Sequence, residues 1–598
     1  MLYEPKVFAS ALTPAQVVAV QGRAGCRPAC AAADMCGSDG CGGSCGSCSG
    51  ARTCGSSPSG GPRTCQMPTT LTVPGFYDGG ADYMVRFAPP YAGTWTYVTH
   101  SSTTPELDGA AGSLVADEAA RAHNHGPVAS NGYALQYADG TPHFSVGSTS
   151  YQWTSKGFAM QAQTLQTLAE GPDGGGPVFN KLRMTVFPKW YRNNHANPVE
   201  TGTAYEIRPG SVAANATAWG CVGGDCPSTA GSFDLARFNV SYWRNYEKLV
   251  RAMQRMGVVA DVIVFHPYDG GHWGFDCLGG RDPQSYDTAN DDFYLRYLAA
   301  RLSAFSNVWW AMANEWNFVA CKSYNTTVDN GPTPVWDHLF RTLGAADVYG
   351  RQTSIHNGAL LYNHSQPWIS HVSVQGREDT TPDIRATYGK PLIWDEVRYE
   401  GNISSSWGAL SGEEMADRFW WGAALGVHCG HSETIERFGV SDDAQPLWWA
   451  KGGTLVGHSP QRIRWFGSLW GAQAAAAAAP AAGAASDGAL AARPVFGTLV
   501  PSQTYFDDAS HSALVADVLA SPDGSYRFVH FLRSGRWTVP LGAADASRTD
   551  AWEVRALDYW GMKVAVVQTL PHDAANATID VASIPANFEI ARASGYKS

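Results

Sequence analysis

A (β/α)8 barrel flanked by two small β-sandwiches is the α/β architecture that this sequence predicts, and three observations carry the prediction. Between residues 142 and 471 short apolar runs alternate with amphipathic helical stretches, the pattern of parallel βα units. Eight such runs follow one another over roughly 330 residues, the span of one complete barrel with modest insertions. On both sides of that region the pattern changes to aromatic-rich alternation broken by Gly and Pro turns, as in half-buried antiparallel strands. At 598 residues the chain has room for about two to four domains, which accommodates all three parts.

Residues 1–22, with the phrase VFASALTPAQV, resemble the closing strand and short helix of a laminin-G or concanavalin-like sandwich, and are expected to be the remnant of such a domain. Residues 23–66 form a Cys/Gly/Ser segment holding eight of the 13 cysteines, read as a disulfide-stapled linker; its Cys45–Cys48 spacing also suits zinc, a weaker reading. A segment of this kind offers little apolar surface, so residues 1–65 are expected not to pack on the rest of the chain. Residues 67–141, with DYMVRFAP and TWTYVTHS, read as an N-terminal β-sandwich whose first strands are missing upstream.

The barrel, residues 142–471, has eight strand candidates in order: HFSVGSTSY, NKLRMTVFP, VVADVIVFHPY, NVWWAMANEW, QTSIHNG, HVSVQG, KPLIWDEVRYE and GVHCGHSETI. Among the helices between them, DDFYLRYLAARLSAF sets Leu295, Leu298, Leu302 and Phe305 on one stripe. Residues 472–493 are an Ala/Pro/Gly linker, and 494–598 return to strand alternation as a C-terminal β-sandwich.

Composition removes several function classes. Charged residues are 16% and hydrophobic residues 44%, with 22 Trp, which excludes disorder over most of the length. A formal net charge of -11 without a Lys/Arg run argues against nucleic acid as a partner. The one long bland run, poly-Ala from Gln473, is broken by Pro480, so no membrane span is expected. No basic n-region with an apolar core follows Met1. The cysteine tract and the Asn-x-Ser/Thr acceptors at Asn215, Asn239, Asn325, Asn363, Asn402 and Asn576 nevertheless point to an extracellular, secreted protein with a truncated N-terminus. No P-loop, dinucleotide or zincin signature occurs, so no cofactor and no metal are expected.

Reactive groups in such barrels sit where strands end, at the C-terminal face. The fourth candidate ends Asn314-Glu315-Trp316 and the seventh ends Trp394-Asp395-Glu396, which sets two carboxylates at the mouth. Glycoside hydrolysis needs such a pair, one group to protonate the leaving oxygen and one to attack the anomeric carbon. For an isolated Glu a helix cap or a surface ion pair is the better reading; matching positions on two strands, each with aromatic flanks, favour catalysis. A binding protein that had merely kept the scaffold would not need both.

The motifs LRMTVFP, HPYD, WWAMANEWN, PLIWDE, GHSETI and LWWAKGGTLVGHSPQRIRWF, in this order, resemble the apiosidase-like branch of the retaining clan of (β/α)8 glycoside hydrolases, and the similarity runs over about residues 66–598 with the accompanying sandwiches. The resemblance implies that Glu315 is the acid/base, that Glu396 is the nucleophile, that Asn314 binds the sugar 2-hydroxyl, and that Arg183 lies against the nucleophile. The substrate is then an oligosaccharide or polysaccharide.

Other rim residues are candidates for substrate contact by position: His266, Tyr268 and Asp269 after the third strand, His356 and Asn357 after the fifth, Gln375 after the sixth, Tyr399 after the seventh and Glu433 after the eighth. Each is as well explained by hydrogen bonding among rim groups that must be satisfied anyway. Trp190, Trp273, Trp316 and Trp394 suit stacking on sugar faces, and Trp316 and Trp394, beside the carboxylates, are expected in the pocket wall. Cys277 with Cys321, and Cys221 with Cys226, are plausible loop disulfides.

Overall fold

A computed structural model describes residues 6–8, 16–22, 53–55, 64–66, 70–117, 124–187, 205–207, 233–267, 289–318, 333–403, 406–440, 445–471, 496–504, 516–541 and 549–592. The linker at 472–493, the paired cysteines proposed at 221/226 and 277/321, and Trp190, Trp273, Tyr268 and Asp269 lie outside the described residues.

Each of the eight strand candidates supplies one strand of a single eight-stranded sheet. They are β1 (Val146–Thr149), β2 (Lys181–Thr185), β3 (Val259–Phe265), β4 (Val308–Ala313), β5 (Thr353–Ser354), β6 (Val372–Gln375), β7 (Leu392–Glu396) and β8 (His428–His431). The sheet order is β5-β4-β3-β2-β1-β8-β7-β6, the sequential winding of a (β/α)8 barrel. Registered neighbours run parallel, as in β3 with β4 and β7 with β8. Every residue of β3 and β4 is buried, because helices cover one face and the barrel interior the other, and this is why VADVIVF and VWWAMA read as unbroken apolar runs.

The helices form where caps and stripes allow. Val240–Arg255 starts at Asn239, whose side chain accepts from the Tyr242 N–H, and Gly412–Ala424 starts with a capping box between Ser411 and Glu414. In Ala289–Leu302 the residues Leu295, Leu298 and Leu302 are buried, and so is Phe305 beyond it, as the periodicity predicts.

Contacts divide the chain into two compact units, one of Met1–Ser130, Tyr151–Gln161 and Arg183–Ser370, the other of Asn131–Ser150, Ala162–Leu182 and His371–Ser598. The first unit contains the N-terminal strands. Thr70–Pro74, Gly93–Ser101 and Ala111–Ala116 form a sheet with Gln16–Gly22, which lies between the first two and pairs with both along its length. Lys6–Phe8 pairs with Asp82–Met84 in a second sheet. This corrects the expectation for residues 1–65: instead of a foreign remnant, the first segment supplies the inner strand of the N-terminal sheet. Its apolar run VVAV is rich in β-branched valine, which favours the strand. Within the cysteine tract, Thr53–Gly55 and Thr64–Gln66 are antiparallel and Cys54 is in register with Cys65.

In the same unit Arg86 from the sandwich region and Arg301 from the helix Ala289–Leu302 both bond Glu247, at 2.6 Å and 2.5 Å, and Arg301 also reaches Asp78 at 2.8 Å. Two guanidinium groups on one buried carboxylate tie sandwich to helices through charge-assisted bonds. In the second unit, antiparallel strands between Val500 and Arg592 form a six-stranded and a two-stranded sheet around Val518, Phe531, Trp552, Ile579 and Ile590, as a small sandwich does. No helix among the described residues is long and apolar enough to cross a membrane.

Candidate active site

In the first unit the end of β4 forms a braced turn. Asn314 donates its backbone N–H to the Phe265 carbonyl at the end of β3, and its Oδ1 accepts from Arg183 Nη2 at 2.7 Å. Glu315 follows with φ 52°, a left-handed conformation that L residues adopt at a cost. The turn is held from the β5 side. Trp316 donates its N–H to the His356 carbonyl and its Nε1–H to the Leu360 carbonyl, both at 3.0 Å, while Asn317 Oδ1 accepts from Gly358 N at 2.8 Å. A Cβ on Gly358 would lie 2.6 Å from the Phe318 ring, so only glycine lets the two loops close to this distance. Glu315 itself is half-buried, whereas its neighbours Asn314 and Trp316 are buried.

In the second unit β7 carries three side chains with separate duties. Trp394 turns outward: its Nε1 donates to Thr381 Oγ1 at 2.9 Å and its ring meets Trp421 edge-on at 5.3 Å, both on flanking helices. Asp395 turns inward, accepting from Lys181 Nζ of β2 and from Ser373 Oγ of β6, each at 2.5 Å. The pairing of β6 with β7 then shifts, from Val374 opposite Trp394 to Gln375 opposite Glu396. This bulge frees Glu396 from the strict alternation that would send it to the outer face with Trp394. The bulge presses on β8, where a Cβ on Gly430 would sit 2.6 Å from the Asp395 carbonyl oxygen. Glu396 is 4% exposed.

The family model of the apiosidase-like catalytic domain matches residues 129–436. The chain belongs to the apiosidase-like family. A second family model, the domain of unknown function DUF5060, matches residues 64–102. A putative glycoside hydrolase from Bacteroides vulgatus ATCC 8482 is similar at 25% identity with a TM-score of 0.69, covering 99% of this chain and 98% of that one. A family 5 glycoside hydrolase from the same organism is similar at 14% identity and a TM-score of 0.53, over 78% of this chain and 93% of that one. No curated protein matches in sequence. The apiosidase-like chain is thus a glycosidase with a (β/α)8 catalytic barrel.

The remaining candidates of this apiosidase-like protein fall into two groups. His266 bonds the Phe187 carbonyl through Nε2 at 3.2 Å, Asn357 Nδ2 donates to the Gly358 carbonyl at 2.7 Å, and His356 is buried beside them in the first unit. Gln375 is buried opposite Glu396. Tyr399 is buried with its N–H on the Trp407 carbonyl and its ring 6.0 Å from that of Trp449. Trp394, expected in a pocket wall, is instead directed outward, for its ring sits among the helices. Trp316 is 1% exposed, its indole N–H spent on backbone, so it braces the turn.

Glu433 is likewise occupied. Its carboxylate accepts from Val456 N at 2.8 Å and Gly457 N at 3.0 Å, and burial, with Glu400 beside it, pushes its pKa up to about 8. Four residues with structural duties in this region escaped the sequence reading: Lys181, Asp395, Glu400 and His431. Lys181 left a signal, since Lys and Arg two residues apart in the buried strand KLRMT must share a face.

Proposed function

We propose that this apiosidase-like chain is a secreted retaining glycosidase that cleaves a cell-wall or extracellular-matrix glycan by double displacement. Glu396 is the nucleophile and Glu315 the acid/base. The observation that carries this reading is that Glu315 follows β4 and Glu396 ends β7 in a glycosidase barrel whose reactive face is the one where strands end.

In the first step a Glu396 oxygen bonds the anomeric carbon, the bond to the leaving oxygen breaks, and that oxygen takes the Glu315 proton. In the second step the Glu315 carboxylate takes a proton from water, the water oxygen attacks the anomeric carbon, and the ester to Glu396 breaks. Half-exposed Glu315 can exchange its proton with solvent, and buried Glu396 is shielded from competing water. Asn314, held by Arg183 through its amide oxygen, is assigned to the sugar 2-hydroxyl. Secretion is supported by the cysteine tract and by acceptors Asn363, Asn402 and Asn576 on exposed positions.

The reading is tested by stereochemistry and rescue. A panel of aryl glycosides and wall polysaccharides identifies a substrate, and NMR of the first product should show the starting anomeric configuration. Glu396→Ala with azide should give a glycosyl azide of inverted configuration, and Glu315→Ala with azide one of retained configuration on dinitrophenyl glycosides. An inverted first product from the unmodified enzyme, or identical responses of the two variants, would remove the assignment.

A further inference from the structure

Beyond the ends of β7 and β8 the chain makes a short parallel pair, Glu400–Gly401 with Glu433–Thr434, and the register sets Glu400 directly beside Glu433. Two carboxylates at adjacent positions of one sheet face repel each other, and both are buried, at 3% and 0% exposure. The segment that covers them is shaped for them. Glu433 accepts from the N–H groups of Val456 and Gly457; Glu400 accepts from His458 N at 2.6 Å, from Ser459 N at 3.0 Å and from Ser459 Oγ at 2.5 Å. A Cβ on Gly457 would lie 2.5 Å from Glu400 Oε2 and 2.6 Å from Glu433 Oε1, so both carboxylates close on one glycine. Backbone dipoles and the start of the helix Ser459–Gly471 offset part of the charge.

His431, two residues before Glu433, is the independent observation. It is fully buried, and its Nε2 has no hydrogen-bond partner while lying 3.8 Å from Glu433 Oε1. Its protonation follows from its surroundings. Ser148 Oγ donates its one proton to the His431 carbonyl at 3.1 Å and accepts from Trp448 Nε1 at 2.9 Å. It can therefore only accept from His431 Nδ1, which lies at 3.4 Å. That tautomer leaves a lone pair on Nε2, aimed at Glu433 Oε1. Phe179 stacks on the imidazole at 4.9 Å and fixes the ring. A cation between Nε2 and Oε1 would satisfy the bare imidazole nitrogen and draw in the Glu400 carboxylate beside it. The candidate ligand atoms of Glu400, His431 and Glu433 all lie within 4.8 Å of one another.

We propose that Glu400, His431 and Glu433 bind a divalent first-row cation of the Mn2+ or Zn2+ class, which pins the Val456–Ser459 segment to the ends of β7 and β8. The donor set of one imidazole and two carboxylates favours these ions over Ca2+, which takes oxygen ligands alone. Ser148 and Phe179 orient the imidazole as outer partners of metal-bound histidines do. This proposal does not depend on the roles assigned to Glu315 and Glu396.

Mn2+ is the probe, because any cysteine of the tract left outside a disulfide would take up zinc and hide one more zinc ion. Full-length protein stripped with EDTA is titrated with MnCl2, and bound metal is counted from the loss of the free-ion EPR signal. The expected result is one tightly bound Mn2+ per chain that His431→Gln does not bind, a nitrogen coupling in the electron spin echo of the bound ion, and a rise in Tm with MnCl2 that His431→Gln lacks. The nitrogen coupling needs no variant, so a poorly folding His431→Gln leaves the test intact. Absence of tight Mn2+ binding, equal binding by folded His431→Gln, or a bound ion without nitrogen coupling would overturn the proposal in favour of a shared proton or a water.

Discussion

Arg183 Nη2 and Asn314 Oδ1 are 2.7 Å apart, a hydrogen bond that joins β2 to the end of β4 past the intervening β3. It fixes which way round the Asn314 amide lies, and in the proposed mechanism that amide serves the sugar 2-hydroxyl. Asn314→Ala should therefore lower kcat by about 10²- to 10³-fold, the loss usual for one transition-state donor, and the loss should shrink on 2-deoxy substrates. Arg183→Ala should lower kcat in the same direction, because the amide is then free to flip. It should also cost about 1–3 kcal/mol of stability for the abandoned acceptor, read by denaturant titration.

The left-handed backbone at Glu315 separates its stability role from its chemical one. Glycine adopts φ 52° without penalty, whereas alanine keeps the strain of about 1–2 kcal/mol. Glu315→Gly should thus melt about 2–4 °C above Glu315→Ala, while the two lose equal activity on substrates with poor leaving groups. Equal melting temperatures would show that the turn relaxes when the carboxylate is gone.

Lys181 and Asp395 are 0% and 1% exposed at their side chains, an ion pair inside the barrel one residue before Glu396. Removing one partner strands a buried charge, so Lys181→Met or Asp395→Asn should cost about 3–5 kcal/mol each. The double substitution should cost clearly less than the sum, and the cycle should show coupling. The single variants should also lose kcat, since Asp395 anchors the bulge that aims Glu396.

His143 is buried with Nδ1 at 2.9 Å from the Tyr137 hydroxyl, and burial, aided by the Lys181 charge, lowers its pKa from 6.5 to about 3. Between those values the unfolded chain takes up a proton that the folded chain refuses, so stability falls as the pH drops from about 6.5 toward 3. His143→Gln should reduce proton uptake on unfolding in that window by about one, measured as a shallower slope of unfolding free energy against pH.

The barrel was legible because its strands are buried on both faces and its helices on one, so periodicity and run length alone separate them. The same rule made Glu315 and Glu396 visible as polar residues at the ends of apolar runs. It misled at Trp394, where the two-residue period already assigns the ring to the helical side and nearness in sequence was given more weight. Glu400 and His431 were passed over because their significance lies in the register of Glu400 with Glu433 and in a segment 23 to 26 residues beyond Glu433, at Val456–Ser459. Gln16–Gly22 was misassigned for a related reason, since its partners at Thr70–Pro74 and Gly93–Ser101 come after the cysteine tract.

That placement makes residues 23–69 a closed excursion that leaves one strand of a sheet and returns in its neighbour. A protease cut within the excursion would sever the chain without detaching the strand, whose ladder of hydrogen bonds to both sides would hold the severed piece in place. Trimming the chain from its start would do the opposite. Loss of Gln16–Gly22 would leave Thr70–Pro74 and Gly93–Ser101 as two bare edges facing one gap, and such edges recruit strands from other molecules.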